Sequence, residues 1–129
     1  MIKGFGNVTL LVRDQDEALR FYTEVLGLEK RADDSSMPGF RWLTVAPKEQ
    51  KGVEIVLVKP RTEEDLQQVG KQAGRTVFLV FHTDDLQREY ETLHSRGVKF
   101  LGPPKQQPWG TEAVFEDLYG NRFDLLQLH

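Results

Sequence analysis

The sequence predicts an α+β fold built from two βαβββ halves, and three observations carry that prediction. One order of elements, strand, helix, strand, strand, strand, can be read twice along 129 residues. Asp14 and Asp84, which open the two helices, stand 70 positions apart, and so do Gly27 and Gly97, which end them. A chain of this length fits one domain of ordinary size, and two long copies make a duplicated half-domain, where a solenoid would show a shorter and more numerous repeat. The first half runs over about residues 1–58, a linker over about 59–75, and the second half over about 76–129.

In the first half, Phe5 to Val12 alternates as a strand does, with Val8, Leu10 and Val12 on one face and Asn7, Thr9 and Leu11 on the other. Asp14 then caps a helix, with Glu17 three residues on as the second half of a capping box. Ala18, Leu19, Tyr22, Val25 and Leu26 recur at helical spacing, and Gly27 supplies the left-handed stop. Leu28–Ala32 reads as a second strand, 33–39 as a turn, Phe40–Ala46 as a third strand ended by Pro47, and Val53–Val58 as a β-branched fourth. The polar stretch Lys59–Arg75 is the linker, with one short helix opening at Thr62.

The second half restarts the pattern. Thr76–Thr83 is a strand, Asp84 opens a helix with Gln87 in the capping-box position, and Leu86, Tyr90 and Leu93 form its buried stripe up to Gly97. Val98–Leu101 is a short strand, Gly102–Pro108 a proline-rich turn, Thr111–Glu116 a strand, and Arg122–Leu128 the last strand after a turn at Tyr119-Gly120-Asn121.

Composition narrows the function classes. The absence of cysteine excludes disulfides, thiolate metal sites and a cysteine nucleophile, and suits a reducing compartment. A net charge of -3, with bases scattered among acids, argues against a nucleic-acid surface. There is no signal-peptide pattern and no apolar run of membrane-spanning length, so a cytoplasmic location without membrane or nucleic-acid partners is expected. Serine-nucleophile motifs, glycine-rich phosphate loops and dinucleotide fingerprints are missing.

Particular segments carry a family resemblance: Val8-Thr9-Leu10-Leu11-Val12-Arg13-Asp14, Ala18 to Leu28 with its Phe21-Tyr22 and Leu26-Gly27, and Gly52 to Leu57. In the second half they are Thr83-Asp84-Asp85-Leu86, Arg96-Gly97-Val98, Pro108-Trp109-Gly110, Phe115-Glu116-Asp117 and Gly120-Asn121-Arg122-Phe123. Through them nearly the whole chain resembles the vicinal oxygen chelate superfamily of glyoxalase I, bleomycin-resistance proteins, fosfomycin-resistance enzymes and extradiol dioxygenases. The resemblance implies a curved mixed sheet around a cleft, with helices on the opposite face, and a homodimer.

It also implies four metal-bearing cleft positions, on the first and fourth strands of each half. Carried over, these fall on Asn7, Glu54, Phe78 and Asp124, where the family usually has two His and two Glu. Phe78 has no lone pair and Asn7 offers only a neutral amide oxygen, so the imidazole donors suited to zinc, nickel or ferrous iron are gone. Glu54 and Asp124 would hold at most a weak divalent hard cation, completed by waters and substrate oxygens. A one-residue slip would turn Glu54 to the helix side. Asp124 has two readings: a ligand contact, or a carboxylate satisfied by neighbouring Arg122.

His82 shares the parity of Phe78 and Val80, which makes it either a base at the cleft mouth or a strand-end histidine bonded locally. His94 and His129 receive no role. Trp42 and Trp109 are the candidates for an aromatic wall, with plain core as the alternative for Trp42. The expectation is a small-molecule binding protein with no tightly bound cofactor. The competing reading is a divalent-metal-dependent lyase, isomerase or dioxygenase.

Overall fold

The computed structural model describes residues 1–129, which form two compact units, Met1–Val69 and Gly70–His129. The first contains β1 (Asn7–Leu11), α1 (Gln15–Arg20), β2 (Glu29–Asp34), β3 (Trp42–Ala46), β4 (Glu54–Val58) and α2 (Glu63–Leu66). Its four strands lie in the order β1-β4-β3-β2, with β1 and β4 parallel and the other pairs antiparallel. Helix α1 packs on β4, and Leu10, Val12, Ala18, Tyr22, Leu43, Val45 and Leu57 are all fully buried. Full burial of one such large side chain is worth about 1.5–3 kcal/mol over leaving it in water.

The Asp14 cap is present, its carboxylate accepting from the Glu17 N–H at 2.9 Å. Beyond Arg20 the helix widens into a π-helical turn, Phe21–Val25, in which the Leu26 N–H reaches back to the Phe21 carbonyl. The Thr23 hydroxyl donates to the Leu19 carbonyl at 2.7 Å, a side-chain bond that competes with regular helical pairing. Gly27, at φ +80°, then turns the chain out, and the Leu28 N–H returns to the Tyr22 carbonyl. The second strand runs further than expected, to Asp34. A register shift between Lys30 and Ala32 lets it continue along β3, where Asp33 makes a two-pronged ion pair with Arg41. The first strand begins at Asn7, leaving Phe5 exposed before it. The expected linker helix is α2, capped by Thr62.

The second unit contains β5 (Val77–His82), α3 (Leu86–Ser95), β6 (Lys99–Phe100), β7 (Lys105–Gln107), β8 (Gly110–Glu116) and β9 (Arg122–Leu128). The sheet order is β5-β9-β8-β6, with β7 also paired to β8 and β5 parallel to β9. Helix α3 contacts β8 and β9. On that side the rings of Phe81, Phe115 and Phe123 stack at centroid separations of 5.3–6.4 Å, and Tyr90 meets Phe100 edge-on at 4.6 Å.

Two expectations change here. The cap of α3 is Asp85, one residue beyond Asp84: its carboxylate accepts from the Arg88 N–H. The Thr83 hydroxyl accepts from the Asp85 N–H, and the Gln127 side chain from the Leu86 N–H at 2.7 Å. With those two groups satisfied, the helix opens at the buried Leu86, and Gln87 pairs along the helix with Glu91. The segment expected as a pure turn over 102–108 contains β7, whose Lys105 to Gln107 pair with Glu112 to Gly110. Near the start of the unit, Gly70 packs so tightly on the Tyr119 carbonyl that no side chain fits between them.

Candidate functional site

Alternation divides each sheet into a helix-covered face and a second face, and the second face carries most of the polar candidates. In the first unit Asn7 and Glu54 are ladder partners in parallel strands, so their side chains leave the sheet on the same side, together with Thr9 and Val56. On β3, Thr44 is the ladder partner of Val56. It is fully buried and its hydroxyl oxygen has no hydrogen-bond partner. Trp42, two residues back, is 39% exposed, and its ring lies 6.5 Å from that of Phe40.

In the second unit the same logic builds a carboxyl pair. The β8–β9 register sets Val114 beside Asp124 and Glu112 beside Leu126, so Glu112 is diagonal to Asp124 on one face. The turn that fixes this register is held by Asp117, whose carboxylate accepts from the Tyr119 and Asn121 N–H groups and the Asn121 amide. Asp124 is 7% exposed, its Oδ1 is buried without a partner, and Glu112 is the acid whose charge acts on it. Two carboxylates brought together in this way disfavour ionisation of both, so one of them holds its proton more tightly. Burial first, and then Glu112, push the Asp124 carboxyl up to about 7. Arg122 is not its partner: the guanidinium goes to Glu116 and the Arg75 carbonyl.

The other candidates are placed as follows. The ladder partner of Asp124 on β5 is Val80, and Phe78 sits in a register shift between Val77 and Leu79. Its ring stands edge-on to the fully buried Phe123 at 6.0 Å. Phe78 therefore does not stand beside Asp124 as Asn7 stands beside Glu54. His82 is exposed at the end of β5, next to Leu126 in the ladder. Trp109 occupies the β7–β8 turn with 53% of its surface exposed, its backbone carbonyl tied to the His129 N–H.

Glu112 is the residue that sequence reasoning missed. Its signal was the alternation Glu112, Val114, Glu116 opposite Ala113 and Phe115, which becomes a statement about Asp124 once the turn fixes the register. As metal donors these residues are a poor set. No group of three or more His, Asp or Glu side chains that could hold a metal ion gathers anywhere in the chain.

The matches to known proteins cover the whole chain. The family model of the Glyoxalase/Bleomycin resistance protein/Dioxygenase superfamily matches residues 4–125. An uncharacterized protein of Shewanella frigidimarina (strain NCIMB 400) is 42% identical over 130 residues, 100% of this chain and 96% of that protein. Among solved structures, UcmS2 superposes with a TM-score of 0.86 at 41% identity, covering 98% of both chains. TnmS3, an antibiotic binding protein from Streptomyces sp. CB03234, superposes with a TM-score of 0.80 at 35% identity, covering 99% of this chain and 98% of its own. With two βαβββ units, helices on one face of each sheet, and these full-length matches, the chain belongs to the glyoxalase/bleomycin resistance protein/dioxygenase superfamily.

Proposed function

We propose that this protein binds a small, mostly apolar or amphipathic molecule at a helix-free sheet face, by sequestration and without a tightly bound metal. The observation that carries the reading is full-length similarity, at 35% identity, to an antibiotic binding protein. The site chemistry agrees with it. Trp109 is an exposed indole on an anchored turn, suited to stacking on a planar ligand. Asp124 brings a buried oxygen that lacks a partner, the kind of placed polar group that orients a ligand in an apolar pocket. The other candidates belong to the two units separately, Asn7, Trp42 and Glu54 to the first and His82 to the second, while Phe78 packs on Phe123.

The test is a fluorescence titration with a panel of planar aromatic drugs and phenols. A binding member of the panel should change tryptophan emission, and Trp109→Ala should weaken it by about tenfold, since an aromatic stack is worth on the order of 1 kcal/mol beyond its buried area. Isotherms unchanged by Trp109→Ala would remove Trp109 from the site. Protein purified without chelator or added metal should hold well under one equivalent of zinc, nickel, iron or manganese by elemental analysis. A dialysis-resistant equivalent would overturn the metal-free reading.

A second reading, an enzyme that moves a proton, draws on the Glu112–Asp124 pair, because a carboxyl poised near neutral pH suits general acid–base catalysis. Asp124→Asn separates the two. It should abolish turnover under the enzyme reading and barely change the affinity for a neutral ligand under the binding one.

A further inference from the structure

Within the first unit lies a cavity that none of the residues above explains. It measures about 210 Å³ and sits where the segment before β3 meets the end of β4. Gln15, Phe40, Arg41, Val58, Lys59 and Arg61 are among its walls, with Gly39 and Pro60 beside them. Three of these side chains are cationic and none is acidic.

The three cations are not equivalent. Arg41 already has its charge offset: Asp33 takes two of its N–H groups and Asp16 a third, at 2.7–2.9 Å. Arg61 is fixed without being neutralised. It donates to the Gly39 carbonyl at 2.9 Å and lies 5.8 Å over the Phe40 ring, and no carboxylate pairs with it. A guanidinium held against a ring and a carbonyl keeps free N–H groups in a planar fork that matches a carboxylate. Lys59 adds a second cation without an ion-pair partner, with Asp14 as the acid that feels its charge. Gln15 is spent on structure, since its amide donates to the Leu57 and Arg41 carbonyls. The remaining wall, Val58, Pro60 and Phe40, is apolar.

We propose that this cavity binds a small organic monoanion, a single carboxylate on a compact apolar body. The carboxylate sits between Arg61 and Lys59, and the body lies against Val58, Pro60 and Phe40. The volume falls below the roughly 300–1,000 Å³ of drug-sized pockets, which limits the occupant to about the size of benzoate. The proposal does not depend on the ligand reading above, because every residue it uses belongs to a different part of the chain from Trp109 and Asp124.

The experiment is a titration of the full chain with benzoate, followed by amide chemical shifts in nitrogen-edited NMR spectra. Saturable shifts should concentrate at Gly39–Arg41 and at Val58, Lys59 and Arg61. Benzamide, the neutral counterpart, should bind at least tenfold more weakly, and so should inorganic phosphate, which has charge but no apolar body. Arg61→Gln should weaken benzoate binding by tenfold or more, and Arg61→Lys should recover part of that loss. Lys59→Gln serves as a second variant should Arg61→Gln not fold, and should weaken binding several-fold. Equal binding of benzoate and benzamide, shifts centred on Trp109 and Asp124, or an affinity untouched by both Arg61→Gln and Lys59→Gln would overturn the proposal. Phosphate binding as tight as benzoate would overturn the apolar half of it.

Discussion

At the scale of single residues, Asp124 couples stability to pH. Its carboxyl is buried and stands near a second acid, Glu112, so the folded protein keeps a proton that the unfolded chain gives up near the ordinary aspartate value of 3.8. Between those limits the native state binds more protons than the denatured one, and stability falls as pH rises from about 4 to about 7, then levels off. The loss should be on the order of 2–4 kcal/mol. Glu112→Gln removes the like charge and supplies an amide donor to an ionised Asp124. Thermal unfolding at pH 5.5 and pH 8 should therefore show a clear destabilisation of the parent at the higher pH and a smaller one in Glu112→Gln, where burial alone still raises the Asp124 carboxyl. Parallel pH dependences in the two proteins would show that Glu112 contributes nothing to the shift. This interaction was half legible in the sequence. Asp124 could be singled out from the repeat, but Glu112 could not, because a diagonal contact depends on hairpin register, and the Asp117–Asn121 turn fixes that register through side-chain bonds.

At the scale of elements, the order and type of every predicted strand and helix can be read from periodicity and punctuation. Capping aspartates, stop glycines and alternating apolar strands all act locally. What eluded the sequence was set by neighbours in space. The cap of α3 moved one residue because Gln127, on β9, reaches the Leu86 N–H. Strand β7 exists because β8 has a free flank for Lys105 to Gln107. The comparison of Asn7 with Phe78 failed for a related reason. At Phe78 the fifth strand carries one residue more than its partner, so counting by twos no longer identifies face or partner there, and Val80 stands beside Asp124. A prediction belongs to the β8–β9 hairpin. Gly110 packs against the Gln127 carbonyl, so Gly110→Ala should lower the urea midpoint, by on the order of 2 kcal/mol of stability, whereas Gly102→Ala, with nothing within 4 Å, should stay within about 0.5–1 kcal/mol. Equal midpoints for the two variants would contradict the packing.

At the scale of the whole molecule, the duplicated order of elements was the strongest signal in the sequence, and the family match over residues 4–125 agrees with it. No helix is long and apolar enough to cross a membrane. Neither sheet closes on itself: the first ends at β1 and β2, the second at β5 and β6. Open edges invite pairing with another chain, and isologous dimers are the commonest way to satisfy them. The expected state is a homodimer, for which light scattering at micromolar concentration should return twice 14.9 kDa. A mass of 14.9 kDa would reject it.

The contact between Gly70 and the Tyr119 carbonyl reaches beyond local packing. By composition, the polar stretch between the two repeats is the part of the chain most open to drift, insertion and tag placement, and most of its positions are exposed. Two adjoining positions are constrained: Val69 is buried in the core, and Gly70 is held at φ +82° with a backbone oxygen where its β-carbon would go. An engineer lengthening this connection would therefore do better to open it among the exposed residues ahead of Val69 than at Val69 or Gly70.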